Sequence, residues 1–104
     1  MRNIIILILS ILSISANAAA TNSSIMSVTS IISRDTGVHD IYFSGTVPDQ
    51  GCNLTDRANL DETLVGGKSM FSVLLSALMA NKEVVIRVDG CLAAPNIIKV
   101  QVYQ

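Results

Sequence analysis

The sequence predicts a small α+β domain that is rich in β-strands, has one helix inserted between strands, and carries one disulfide. Three observations favour this fold class: several segments alternate apolar and polar residues, one segment has apolar residues at helical spacing, and the 104 residues include only two cysteines. A period of two is typical of half-buried strands, and a period near 3.6 is typical of a helix. We expect a small antiparallel sheet or a partly open barrel.

The first 18 residues have the features of a secretory signal peptide. Arg2 supplies a positive charge, residues 4–14 form an apolar run, and residues 16–18 (Ala-Asn-Ala) match a small-x-small cleavage site. The apolar run is shorter than the roughly 20 residues that a spanning helix needs, so we expect no membrane insertion. A short, Ile-rich signal with a single Arg is typical of a bacterial protein. We therefore predict a secreted or periplasmic location.

The chain that remains after cleavage is long enough for one domain. Residues 19–24 are small and polar and are predicted to form a flexible leader. Residues 25–104 are predicted to form a single small secreted domain, since no composition shift or internal repeat divides them.

The two cysteines, Cys52 and Cys91, are expected to form a disulfide because an exported chain meets an oxidising compartment. In the chain-entropy description, closing a loop of about 40 residues stabilises the fold by about 4 kcal/mol. Free thiols or intermolecular bridges are the alternatives, and no C-x-x-C spacing favours them.

The predicted strands occupy both ends of the domain. The alternating segments are Ile25–Ser33, Val38–Ser44, Lys82–Gly90 and Ile97–Tyr103. A turn at residues 34–37 makes the first two a hairpin, and Leu60–Val65 is predicted as a further short strand. Thr46–Arg57 contains Pro, Gly, Asn and Asp around Cys52 and is predicted as a loop.

The segment Met70–Asn81 is predicted as a helix, with Ser69 as N-cap and Asn81 as C-cap. One apolar stripe comprises Met70, Val73, Leu74, Ala77 and Leu78. Phe71, Leu75 and Met79 extend the apolar surface past half of the circumference. A helix of this kind is usually buried on more than one side, and a single small sheet covers only one. We therefore predict a homo-oligomer with these last three residues at its interface.

Charge excludes one class of partner. Without Arg2, six basic residues face eight acidic ones. The basic residues are spread along the chain: Arg34, Arg57, Lys68, Lys82, Arg87 and Lys99. Because none of them cluster in the sequence, we expect no binding to nucleic acid.

The residues offer little support for catalysis. His39 is the only histidine, and its neighbour Asp40 points to the opposite face of the same strand, so we predict His39 as a surface residue and no catalytic set. Asp61 and Glu62 are predicted in a solvated loop. The Gly66–Ser69 segment lacks the first glycine of a phosphate-binding loop, since Glu62 stands there. We predict no metal site and no cofactor.

The aromatic residues give candidates for ligand binding. A sugar site combines an aromatic ring with polar side chains that take the hydroxyl groups. Tyr42, with Asp40 and Ser44 on the same strand face, and Tyr103 at the end of the last strand are the candidates. Structural roles on a small sheet are the alternative for each of them.

The segment Met70–Cys91 contains a helix with Leu-Leu-x-Ala and a Lys-x-Val strand that ends at Cys, followed by Pro-x-Ile. This pattern is similar to small secreted bacterial proteins that in turn resemble the B subunits of subtilase cytotoxin and pertussis-like toxins. The resemblance covers residues 25–104. It implies an OB-like barrel, a disulfide, a pentamer with the helix facing a central pore, recognition of a cell-surface glycan, and partnership with an enzymatic A subunit. The family's sugar-contacting residues match no position here.

Three functional hypotheses follow. The first is a secreted, non-enzymatic binding module that resembles a toxin B subunit, binds a glycan and oligomerises through its helix. The second is a periplasmic or secreted inhibitor or accessory protein that binds another protein through the Thr46–Arg57 loop. A small hydrolase is the third, and it would need a base other than His39.

Overall fold

A computed structural model describes residues 19–104, and the predicted signal peptide lies outside the described residues. The elements in chain order are β1 (Thr21–Asn22), β2 (Met26–Ile32), β3 (Val38–Phe43), β4 (Arg57–Asp61), α1 (Gly67–Ala80), β5 (Glu83–Cys91) and β6 (Pro95–Tyr103). The protein is thus a small β-rich α+β domain with one helix among its described residues, a six-stranded mixed sheet and one disulfide.

The strand pairings form a closed circuit. β2 pairs with β3, β3 with β4, β4 with β6, β6 with β5, and β5 again with β2. All of these pairings are antiparallel except that of β4 with β6, which is parallel and rests on Asn59 opposite Asn96. The prediction of an antiparallel sheet is correct for four of the five pairings in the circuit. The exception arises because α1 and β5 lie between β4 and β6 in the chain. After these two elements, β6 runs in the same direction as β4.

The interior of the circuit is apolar because the strands direct apolar side chains inward, and the alternating burial along β5 is the clearest example. Ile41, Leu60 and Ile86 are fully buried on three different strands. Helix α1 packs on the same core through Leu74 and Ala77. The buried core residues are Met26, Val28, Ile41, Phe43, Val47, Ala58, Leu60, Leu74, Ala77, Val84, Ile86, Val88 and Ile97. The hydrophobic effect, at about 25 cal/mol per Å² of buried apolar area, favours this single core.

The chain before β2 differs from the prediction of a flexible leader over residues 19–24. Thr21 and Asn22 pair with Val88 and Arg87 of β5, and the Ser23 amide donates to the Ile86 carbonyl at 2.7 Å. The edge of β5 beyond its short pairing with β2 offers free backbone groups, and these residues satisfy them. Composition alone does not report such a partner.

Strand β4 lies earlier than the predicted Leu60–Val65, and it includes the end of the predicted Thr46–Arg57 loop. The strand ends at Asp61, whose Oδ1 accepts hydrogen bonds from the Thr63 amide at 3.0 Å and the Thr63 hydroxyl at 2.6 Å. Such a turn competes with continued strand pairing. Leu64 and Val65 consequently lie exposed beyond the strand.

The helix begins three residues before the predicted start. Gly66, with a φ of 81°, is the N-cap and no side chain caps the helix, so the prediction of Ser69 as N-cap is wrong. Gly67 begins the helix where it packs against the backbone of Asp61 and Glu62, too close for any Cβ. The predicted C-cap Asn81 is confirmed, in a left-handed conformation with a φ of 55°.

The predicted disulfide between Cys52 and Cys91 is confirmed, with a Cα–Cα distance of 5.7 Å. It joins the β3–β4 loop to the end of β5. Gln50 ties the same two segments, since its Oε1 accepts from the Gly90 amide at 3.1 Å. Among residues 19–104, no helix has the length and apolarity needed to cross a membrane.

We predict that the Cys52→Ala/Cys91→Ala variant loses about 4 kcal/mol of unfolding free energy, because the unfolded chain regains the freedom of a loop of about 40 residues. Urea unfolding of both proteins measures the difference. Wild-type protein held in reductant, which keeps both cysteine side chains, is the control and should match the variant. A difference below about 1 kcal/mol would contradict this role of the disulfide.

Candidate functional site

The outer face of β3 and β4 carries a buried polar network centred on Asn59. The Asn59 side chain is 1% exposed. Its Nδ2 donates to Asp40 Oδ1 at 2.6 Å, and its Oδ1 accepts from the Ala94 amide at 2.6 Å. The network therefore joins β3, β4 and the β5–β6 connection.

Asp40, one of the predicted ligand residues, belongs to this network. Its second oxygen accepts from Arg34 Nη2 at 2.6 Å, and this hydrogen bond raises the pKa of Arg34. Asn59 therefore occupies one carboxylate oxygen of Asp40, and Arg34 occupies the other. Asp40 is buried as well, so the geometry gives it a structural task rather than contact with a ligand.

Tyr42, the second predicted ligand residue, lies on the same face of β3, two residues further along. Its cross-strand neighbours are Ser30 of β2 and Arg57 of β4. The Arg57 Cζ lies 4.9 Å from the centre of the Tyr42 ring, a cation–π contact. We call Ser30, Tyr42 and Arg57 the tyrosine row. It places a half-buried ring between a hydroxyl group and a guanidinium group.

Asp56 completes the surroundings of the tyrosine row. Its Oδ1 accepts from Arg57 Nε at 3.0 Å, and this hydrogen bond lowers the pKa of Asp56 and raises that of Arg57. Asp56 is exposed and Arg57 is half-buried, so solvent screens the pair and it adds little to stability. Arg57 thus contacts Asp56 and the Tyr42 ring at the same time.

The prediction that His39 is a surface residue is wrong. His39 is 4% exposed, and its ring stacks on Phe71 of α1 with centroids 4.4 Å apart. Its Nε2 lies 3.3 Å from Glu62 Oε2, within ion-pair distance but without hydrogen-bond alignment. The ring faces the core because it shares a strand face with Ile41. Asp40 points away from it, so these two residues form no acid–base pair.

The adjacent carboxylates Asp61 and Glu62 also contact different partners. Asp61 closes the turn after β4, and its hydrogen bonds with Thr63 lower its pKa. Glu62 approaches His39. Within residues 19–104, no group of three or more His, Cys, Asp and Glu side chains is placed to hold a metal ion.

The predicted interface residues of α1 lie on two sides. Phe71 is partly buried and packs on the core. Leu75 and Met79 are 41% and 80% exposed and lie with Ser72 and Ser76 on the solvent side. We call Ser72, Leu75, Ser76 and Met79 the outer helix face. Their spacing of three, four and seven residues places them on one side of the helix.

Tyr103, the last predicted ligand residue, lies on β6 away from the tyrosine row. Strands β3 and β6 do not pair with each other, so the structure does not bring Tyr42 and Tyr103 together. Tyr103 shares its strand face with Gln101 and Lys99.

Lys99 pairs directly with Arg87 of β5, and both border a small cavity of about 20 Å³. We call Asn22, Arg87, Lys99 and Gln101 the basic cleft. Sequence reasoning missed it because the two basic residues are 12 positions apart. The sequence did contain a signal for this cleft, because a hairpin over residues 83–103 places Arg87 opposite Lys99.

Comparison of the chain with protein-family models, with curated proteins and with solved structures found no match.

We predict that Asn59→Ala destabilises the fold by about 3 kcal/mol, because it leaves the buried Asp40 carboxylate and the Ala94 amide each without a partner. Asn96→Ala is the matched control. It removes an asparagine directly opposite on β6, whose buried Oδ1 accepts no hydrogen bond among the described residues. Thermal or urea unfolding gives both values. Equal losses in the two variants would contradict the role assigned to Asn59.

Proposed function

We propose that the protein is an exported, non-enzymatic binding module that assembles into a homo-oligomer through α1. The observation that carries this proposal is the outer helix face, where Leu75 and Met79 are exposed although the helix is already packed on the core by its other side. Burying two such side chains stabilises an interface by about 1.5 to 3 kcal/mol each. The exposed Leu64 and Val65, just before the helix, add apolar area at its N-terminal end.

The strand circuit supports an OB-like barrel. Five strands in the order β2–β3–β4–β6–β5, with a helix between the third and fourth of them in the chain, fit the five-stranded, partly open barrel of that architecture. The resemblance to toxin B subunits would make the assembly a pentamer with α1 facing a central pore. The disulfide supports export, because such bonds persist in oxidising compartments.

The proposed ligand is a cell-surface glycan bound at the tyrosine row. The ring of Tyr42 offers an apolar surface for one face of a sugar, and Ser30 and Arg57 offer hydrogen bonds to its hydroxyl groups. Arg57 lies over the ring, so a sugar would bind beside the guanidinium group or displace it.

A protein ligand is the second candidate, and the β3–β4 loop favours it. The Cys52 disulfide and the hydrogen bonds of Gln50 hold this loop, and the buried Val47 anchors its start. Asp49 and Asn53 are exposed on it. A fixed, polar loop loses little entropy on binding, as an inhibitor or accessory protein requires.

We predict that the mature protein at low micromolar concentration has a mass that is a multiple of the protomer by light scattering, and that Leu75→Glu/Met79→Glu shifts it to a monomer, because charged side chains resist burial at an interface. Thr29→Glu/Ser33→Glu is the control, since it adds the same charge at exposed positions outside the helix. Monomeric wild-type protein would contradict the proposed assembly.

We predict that a glycan array identifies a ligand for the wild-type protein and that Tyr42→Ala weakens its binding by about tenfold, the loss of one ring contact. Tyr103→Ala is the control and should retain binding, because Tyr103 lies on another surface. If no glycan binds and one protein co-purifies in a manner that Asp49→Ala/Asn53→Ala abolishes, the glycan proposal is wrong and the inhibitor or accessory role replaces it.

A further inference from the structure

We propose that the basic cleft binds an oxyanion, that is, a carboxylate, sulfate or phosphate group carried by a ligand. This site shares no residue with the outer helix face or the tyrosine row. Its test is therefore independent of the proposed oligomer and of the proposed glycan site. Its residues come from three strands that are adjacent in the sheet, β1, β5 and β6.

The first argument is an unbalanced pair of charges. Arg87 and Lys99 are direct cross-strand partners. Like charges placed in this way repel and destabilise a sheet. The ion pairs within residues 19–104 involve Arg34, His39 and Arg57 as the basic partners, and neither Arg87 nor Lys99 is among them. Residues 1–18 contain no Asp or Glu. Within residues 19–104, no carboxylate therefore lies within ion-pair distance of Arg87 or Lys99, and a bound anion would offset their repulsion.

The second argument is the orientation of the donors. Arg87 Nη1 donates to Asn22 Oδ1 at 3.1 Å, which holds the guanidinium group toward β1. Because the Asn22 oxygen is used in this way, its amide nitrogen remains to donate. Gln101 follows Lys99 on the same strand face and contributes a second side-chain amide. The residues that line this cavity thus include one arginine, one lysine and two side-chain amides, a set rich in hydrogen-bond donors.

The third argument is size. The cavity of about 20 Å³ has room for one or two oxygen atoms. An oxyanion inserts one or two oxygens and leaves the rest of its ligand outside. Charge-assisted hydrogen bonds from Arg and Lys to such oxygens are the stronger ones available to proteins. The geometry therefore fits the charged group of a ligand, whatever lies beyond it.

The nearest carboxylates on β5 do not fill this role. Asp89 and Glu83 flank the cleft along the strand, one near each end of it, and neither forms an ion pair with Arg87 or Lys99. They do limit the ligand, because an anionic group that extended far along β5 would meet one of them. A single compact charged group is favoured over a polyanion.

The test is an NMR titration of the mature protein with sodium sulfate, inorganic phosphate and acetate in separate samples, at constant ionic strength set with sodium chloride. We expect saturable shifts of the backbone amides of Asn22, Arg87 and Lys99 with at least one of the three. Acetate as the best probe would indicate a carboxylate ligand, and sulfate or phosphate would indicate an ester of those acids.

Lys99→Gln and Arg87→Gln should each raise the dissociation constant of the best probe anion by about tenfold or more, because each variant loses one charge-assisted hydrogen bond. Lys82→Gln, at an exposed lysine before β5, is the matched control and should leave it unchanged. Because Arg87 also holds β1, the exposed Lys99 variant decides the outcome if Arg87→Gln unfolds. In chloride alone, Lys99→Gln should raise the melting temperature by relieving repulsion, and the best probe anion should stabilise only the wild type.

Shifts that follow ionic strength without saturating, or that are equal in Lys99→Gln and Lys82→Gln, would overturn the proposal. A melting temperature lowered by Lys99→Gln in chloride would also overturn it, because the pair would then be favourable without an anion.

Discussion

The closed circuit of strands depends on the contacts that Asn59 makes where β4 meets β6. That pairing is parallel and consists of one register position, so the backbone alone provides little to hold it. The Asn59 side chain supplies what the backbone lacks, since it binds the Ala94 amide just before β6 and the Asp40 carboxylate on β3. Arg34 compensates the charge of Asp40 in turn. Closure of an apolar core thus rests on a polar network at its outer surface, and such networks stabilise only when every member is satisfied.

Much of the fold was predictable because its signals are local. Alternation located β2, β3, β5 and β6, and the apolar spacing located α1. The disulfide followed from there being two cysteines in a chain that is predicted to be exported. Errors arose where a distant partner decides the local structure. Residues 21–22 form a strand only because β5 offers an edge, and Gly67 begins the helix only because the backbone of residues 61–62 lies against it.

The candidate sites follow the same division. Tyr42 is a candidate because of its aromatic ring and its strand face, and Leu75 and Met79 are candidates because of their helical spacing. Asp40 carried the same local signal as Tyr42, yet Asn59 and Arg34 occupy it, and no pattern in the sequence reports those contacts. His39 became a core residue because its strand face points inward to Phe71. Prediction of the basic cleft requires the register of the β5–β6 hairpin, which places Arg87 opposite Lys99. A one-residue change in the connection would abolish that register.

Both ends of the described chain pair with strand β5. Thr21 lies opposite Val88 on one edge, and Tyr103 lies opposite Glu83 on the other. The termini are therefore held by a common neighbour inside the disulfide-linked part of the fold. A circularly permuted chain, joined by a linker from Gln104 to Thr21 and reopened in the exposed turn at residues 34–36, would keep every strand neighbour and the disulfide. Chain order and spatial order are thus separable in this protein.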